Sequence, residues 1–288
     1  MVDTLPSLTH VLNIYGLRAD KKLGQHFLLD MNITDKIARQ ADDLEKGSVI
    51  EVGPGPGGLT RALLLGGAPY VLLIEKDTRF IPLLEDVKTA AQRNQNAYID
   101  IHAADALTFQ IPDTLPRPIK LISNLPYNVG TKLLINWLLA KPIFWSQAVL
   151  MFQKEVAERI VAVPGEKAYG RLAVLTQSLC DCHKAFDVPA RAFSPPPKVD
   201  SSVVVLRPKA QGKRFSDPER LAKVTQAAFG QRRKMLRQSL KSMAASYNLD
   251  VRDWLKGCGI DPMRRAETLS IDEFQALVLA LNLPLGSA

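Results

Sequence analysis

Between residues 48 and 162, short apolar runs alternate with stretches of helical period, and no other feature constrains the fold as tightly. The first unit, GSVIEVGPGPGGLTRALLLGG, reads as a buried strand, a glycine-rich turn and a helix closed by Gly66 and Gly67. APYVLLIEKD follows as a second strand with a helix over 78–92, then NAYIDIHAAD as a third strand. PIKLISNLPYN is a fourth strand with a helix over 130–140, and WSQAVLMFQ a fifth that enters a helix at 153–162. Each strand is separated from the next by a crossover long enough to hold a helix. Such strands run parallel, in a sheet covered on both faces. Right-handed crossovers make the sheet doubly wound, so the expected class is α/β.

The flanks follow other rules. Residues 5–16 and 31–42 read as short amphipathic helices separated by the basic turn RADKKLGQHFLLD. After residue 163 a helix at 169–178 leads into CHKAFDVPARAF, the stiff SPPPKVD and the β-branched SSVVVLRP, which together predict paired closing strands. From Pro208 onward only helical patterns remain, at 217–230, 232–246, 250–256 and 270–281. The expected division is 1–207 for the sheet domain with its helical extension and 208–288 for a small all-α domain.

The glycines of EVGPGPGG match G-x-G-x-x-G through Gly53, Gly55 and Gly58, and Glu75 ends the next strand where a ribose hydroxyl acceptor is expected. A dinucleotide is the ordinary ligand of such a turn, held by backbone N–H groups on its pyrophosphate. Pro54 and Pro56 carry no N–H, which favours a nucleoside ligand without phosphate. S-adenosyl-L-methionine is such a ligand, its cationic sulfonium needing no anion site. Asp105, after the third strand, stands where an acid can accept from the adenine amine of that cofactor.

ISNLPYNVG ends the fourth strand with an amide, a proline carbonyl and an aromatic ring. The exocyclic N6 of adenine is a poor nucleophile because its lone pair is delocalised into the ring. Acceptors at the Asn124 side chain and the Pro126 carbonyl favour a more pyramidal nitrogen and stabilise the positive charge that develops there. Tyr127 can stack on the base. Phe193, ahead of the polyproline segment, can close the other face of a flipped base. CDCH at 180–183 lacks structural-zinc spacing and has no second cluster, so no metal is expected.

The formal net charge of +8 is uneven: residues 201–245 hold eleven Lys or Arg against two acids, and the remainder is near neutral. A basic block beside a neutral body predicts a face for a polyanion. Three cysteines without framework spacing fit a reducing compartment, and no uncharged apolar run is long enough to span a bilayer. The expected location is cytoplasmic.

The stretches KKLGQHFLLD, VIEVGPGPGGLT, IEKD, SNLPYN, FQKEVAERI, YGRLAVL, FSPPPKVDSSVV and FGQRRKMLRQSLK occur in one order along most of the chain. In these the sequence resembles the ribosomal RNA adenine N6-dimethyltransferases that act on small-subunit rRNA. That resemblance implies a seven-stranded Rossmann-like methyltransferase sheet. It places His26, Leu28, Gly53, Glu75, Asp105 and Asn124, with Gly55, Lys76 and Ala106 beside them, on S-adenosyl-L-methionine. Asn124, Pro126, Tyr127 and Phe193 are then placed on the target adenine. It further implies dimethylation of two adjacent adenosines in the 3′-terminal hairpin loop of 16S rRNA, late in assembly, by a monomer bound to a pre-30S particle. The basic residues Arg207, Lys209, Arg232, Arg233, Lys234 and Arg237 are expected on RNA phosphates. Three rivals stay open on the sequence: a relative that methylates large-subunit rRNA and confers macrolide resistance, a non-catalytic assembly or transcription factor, and a nucleotide-dependent oxidoreductase.

Overall fold

The computed structural model describes residues 5–20, 24–95, 97–231 and 233–281. Two short helices, α1 (Leu8–Ile14) and α2 (Met31–Ala38), flank a two-residue strand β1 (Phe27–Leu28). The alternating region runs β2 (Ser48–Val52), α3 (Gly58–Leu65), β3 (Tyr70–Glu75), α4 (Ile81–Gln95), β4 (Tyr98–Ala103), β5 (Ile119–Asn124), α5 (Gly130–Leu139), β6 (Gln147–Gln153) and α6 (Lys154–Val161). Then come α7 (Arg171–Leu179), β7 (Cys180–Val188), β8 (Phe193–Ser194) and β9 (Ser201–Pro208). The helices α8 (Pro218–Phe229), α9 (Leu236–Ser239), α10 (Lys241–Ser246), α11 (Val251–Gly257) and α12 (Ile271–Ala280) complete the described chain.

Seven strands form one sheet in the order β4-β3-β2-β5-β6-β9-β7. The first five are parallel, with Val49 paired to Val71 on one side and Lys120 on the other, while β9 runs antiparallel to β6 with Val205 opposite Val149. This is the mostly parallel, doubly wound α/β sheet that the alternation requires. Strands β2 and β3 read as nearly continuous apolar runs because both faces are covered: Val49, Ile50, Val71, Leu72 and Leu73 are fully buried. Each such side chain contributes roughly 1.5–3 kcal/mol by leaving water. The chain steps from β2 through β3 to β4 in one direction, then returns to β5 on the other side of β2. The order therefore reverses between β2 and β5, and a crevice opens there at the carboxyl ends of the strands.

Three local expectations change. The segment read as a turn before α2 holds β1, which pairs antiparallel with β8, Phe27 opposite Ser194 and Leu28 opposite Phe193. The single helix expected over 232–246 is two short ones, α9 and α10, separated at Leu240 with φ −94° and ψ −2°. Residues 158–182 group with 208–288 in one compact unit, while residues 1–157 and 183–207 form the other. The reason lies in α7, whose Ala173 and Val174 join Leu221 and Val224 of α8 in the helical unit's core. Tyr169 adds its hydroxyl, which donates to the Leu269 carbonyl at 3.0 Å. In the same unit the Ser270–Glu273 capping box starts α12.

Candidate active site

The glycine turn lies at the crevice and closes on itself. Gly53, Gly55 and Gly57 all take positive φ (67°, 51° and 78°), the left-handed region that costs a side-chain-bearing residue most. At Gly53 a Cβ would also press on Pro126 Cγ at 3.3 Å. Each of the three glycine N–H groups has a partner inside the protein: Gly53 donates to Ile74 O, Gly57 to Pro54 O and Gly55 to Glu75 Oε2. With Pro54 and Pro56 lacking donors, the turn has little left to offer a pyrophosphate. Glu75 receives a second N–H, from Asp77, on its other oxygen at 2.8 Å. Burial raises its carboxyl above the usual range, and the Asp77 and Gly55 N–H groups oppose that rise.

One cleft gathers the groups that the sequence scattered. His26, Leu28, Gly53, Gly55, Glu75, Lys76, Asp105, Ala106, Asn124, Pro126 and Tyr127 all line it. Asp105 accepts from Leu107 N at 2.9 Å and from Lys76 Nζ at 2.9 Å, and the lysine holds its carboxyl below the ordinary range. Sequence reasoning missed Glu51, Gln25 and Asp77, which line the same cleft. Gln25 Nε2 donates to Asp77 Oδ2 at 2.8 Å, tying the amino-terminal segment to the end of β3. Glu51 is buried and takes the Thr60 hydroxyl at 2.6 Å. Burial lifts its carboxyl to about 8. The stretch EVGPGPGG was read for its glycines; a charged residue inside an apolar strand was the signal for Glu51.

The β5 edge of the cleft is uncharged. The Asn124 carboxamide makes no hydrogen bond with the described residues and is only half-buried. The Pro126 carbonyl, expected as the second acceptor, is occupied: it receives Val129 N–H at 3.1 Å and Gly130 N–H at 2.9 Å where α5 begins. A carbonyl has two lone pairs, and both are engaged. Leu125, one residue earlier, also lines the cleft, and its carbonyl accepts none of the turn or cap bonds. Tyr127 is fixed by a 2.6 Å hydrogen bond to Ser201 and by His26, whose ring stacks on it at 5.6 Å and 29°. His26 in turn donates from Nδ1 to the Pro195 carbonyl at 2.8 Å.

Phe193 does not reach this edge. It is 3% exposed, packed in the sheet's core, and its backbone pairs with Leu28. The β1–β8 ladder turns the ring inward, so in this structure it cannot cover a base; the stiff proline segment instead presents the carbonyl that holds His26. The expected phosphate contacts also divide. Arg207 makes a two-pronged pair with Asp42 (2.7 and 2.9 Å), and Lys209 donates to the Gln177 carbonyl at 2.6 Å. Both are tied down locally rather than presented to a partner. Arg233 and Lys234 are exposed, and Arg237 is half-buried with an unpartnered Nε. Arg232 lies outside the described residues. Cys180, Cys182 and His183 sit along β7, and among the described residues no three metal-ligating side chains converge. Nor is any described helix long and apolar enough to cross a membrane.

Comparison with known proteins bears on this cleft directly. The family described as "Ribosomal RNA adenine dimethylase" matches residues 16–282. A ribosomal RNA small subunit methyltransferase A from Rhizobium johnstonii is 52% identical over 283 residues, covering 97% of this chain and 99% of its own length. One from Maricaulis maris is 49% identical over 281 residues, covering 97% and 96%. Among solved structures, a dimethyladenosine transferase from Plasmodium falciparum superposes with a TM-score of 0.75 at 27% identity, over 89% of this chain and 98% of that one. The 23S rRNA methyltransferase ErmE superposes at 0.65 and 26% identity, over 89% of this chain and 100% of its own. With the family matched over nearly the whole of the chain and relatives about half identical across it, the chain belongs to the ribosomal RNA adenine dimethylase family.

Proposed function

We propose that this protein binds S-adenosyl-L-methionine in the cleft and dimethylates N6 of two adjacent adenosines in the 3′-terminal hairpin loop of 16S rRNA. It acts as a cytoplasmic monomer on a pre-30S particle, late in subunit assembly. The observation that carries the reading is the meeting, in one cleft, of a glycine turn with its N–H groups internally bonded and an edge of uncharged acceptors. When bound, the cofactor supplies an electrophilic methyl on a sulfonium. Glu75 would hold its ribose hydroxyls and Asp105 its adenine amine; Gly53 and Gly55 leave room, and Leu28, Lys76 and Ala106 complete the walls.

Asn124 Oδ1 and the Leu125 carbonyl, in place of Pro126's, would accept the two hydrogens of the target amine. Held so, the nitrogen is more pyramidal, and the positive charge that develops on it as methyl arrives lies against two preorganised dipoles. No strong base is required, because the amine proton becomes acidic only after transfer. Tyr127, locked by Ser201 and His26, offers the ring on which the base stacks, worth roughly 1–3 kcal/mol. Arg233, Lys234 and Arg237 would contact phosphates, so binding should weaken with salt.

The test is transfer of labelled methyl from S-adenosyl-L-methionine to small subunits lacking this modification, followed by mass mapping of the rRNA. Four methyl groups on two neighbouring adenosines are expected. Methyl on large-subunit rRNA, as ErmE's name specifies for that enzyme, would overturn the substrate assignment.

A further inference from the structure

Two buried carboxyls share the cleft, and the protein treats them differently. Glu75 is 5% exposed and receives a backbone N–H on each oxygen, from Gly55 at 3.0 Å and Asp77 at 2.8 Å. Glu51 is 2% exposed and has one partner, the Thr60 hydroxyl on Oε2 at 2.6 Å. Among the described residues nothing else hydrogen-bonds to it, although it lines the cleft. Hydrogen bonds to a carboxylate stabilise its charge; a buried carboxyl without enough of them keeps its proton.

Among the described residues the surroundings offer Glu51 no counter-charge. From α3 it faces Thr60, from β3 it faces Glu75, whose charge opposes its ionisation, and Ser123 of β5 accepts the neighbouring Val52 N–H. Further round the cleft, Lys76 is paired with Asp105, and Asp77 with Arg79 and Gln25. Among the described residues four carboxyls and a single lysine line the cleft. A cation entering it would bring Glu51 a positive charge that no described residue supplies.

We propose that Glu51 is the charge-sensing residue of the cofactor site: it stands protonated in the free protein and releases its proton when a cationic cofactor enters. This rests on the reading that the cleft takes S-adenosyl-L-methionine, whose sulfonium and ammonium groups are the cations concerned. The O–H bond of the carboxyl breaks, its proton passes to solvent, and the carboxylate remains as counter-ion. Burial, which lifts the free carboxyl to about 8, makes the proton count appreciable at neutral pH. Glu51 thereby supplies a counter-ion to the bound cofactor without presenting a permanent buried charge in the free protein.

The sign follows from linkage. A group that loses a proton on binding makes affinity rise with pH until the free group is itself ionised. The experiment is titration calorimetry of the full-length protein with S-adenosyl-L-methionine at pH 7, in phosphate and in Tris, whose ionisation enthalpies differ. The expected result is release of roughly one proton per cofactor bound, with affinity rising up to about tenfold per pH unit below about pH 8. 5′-Methylthioadenosine, which has the same nucleoside without either cation, should bind with no proton release and no such slope. Glu51→Gln, which keeps an acceptor for Thr60, should bind the cofactor with the proton release gone. Buffer-independent heats for the wild type, or equal proton release for both ligands, would overturn the inference even if the variant failed to fold. Absence of cofactor binding at every pH would overturn the cofactor reading with it, whereas methyl transfer with a zero proton count would remove the inference alone.

Discussion

The two lips of the cleft are built from the same element, the carboxyl end of a parallel strand, yet they differ in charge. At the end of β2 and β3 stand Glu51, Glu75 and Asp77, all at least nine-tenths buried. At the end of β5 stand Asn124, Leu125 and Tyr127, without a carboxyl among them. The β5 side needs no fixed charge, because neutral dipoles can accept the amine's hydrogens and stabilise the positive charge that develops there. On the β2–β3 side the opposite holds, because a sulfonium gains from nearby negative charge. The difference teaches that the two lips sort charge by strand; under the proposed function the acids would handle the donor and the neutral acceptors the nucleophile.

The largest effect should come from the neutral lip. Replacing Asn124 with Ala removes an acceptor aimed at developing positive charge, and such dipoles are worth about 10²–10³ in rate. Single-turnover transfer to unmethylated small subunits should fall by that factor, with RNA affinity unchanged by filter binding. Retained turnover would break the contrast, since charge on the nucleophile would then be handled elsewhere. Next comes Glu75→Gln. One oxygen that now accepts a backbone N–H becomes a donor facing it, so either the glycine turn or the Asp77 turn loses its anchor. Cofactor affinity by calorimetry should drop about 10- to 100-fold, the size of a lost charged hydrogen bond. An unchanged affinity would show that the acidic lip is structural only.

The sequence exposes this division unevenly. The α/β alternation was legible because a parallel strand buries both faces and must read as a continuous apolar run, as VIEV and YVLLIE do. The two lips were legible because glycine, proline and asparagine break that run at the strand ends. Phe193 was not: an aromatic beside a polyproline segment looks presented, and only the Leu28–Phe193 pairing shows that it turns inward. The Pro126 carbonyl was not legible either, because a backbone oxygen's engagement depends on where α5 starts, and Val129 and Gly130 claim it. Glu51 stood in plain view, but its protonation depends on burial and on partners supplied from α3 and β3. The division at residues 158–182 depends on which neighbour α7 packs against, and local periodicity does not carry that information.

The smallest effect should come from the rim of the acidic lip. Lys76 and Asp105 lie 2.9 Å apart, but their side chains are 65% and 36% exposed. Water screens such a pair, and exposed ion pairs are worth about 0–1 kcal/mol. Lys76→Met should therefore weaken cofactor binding by less than about fivefold. Its pH dependence is more telling. Lys76 holds the Asp105 carboxyl below the ordinary range, so the interaction is present at neutral pH and is lost as pH falls through that lowered value. Removing Lys76 should move this acid loss to higher pH. It should leave untouched the separate rise of affinity toward about pH 8 that Glu51 contributes. Binding curves for the wild type and Lys76→Met across mild acid to mild alkali would separate the two. A loss beyond tenfold would mean that the buried carboxyls depend on a surface cation, and the contrast between the lips would have to be redrawn around Lys76.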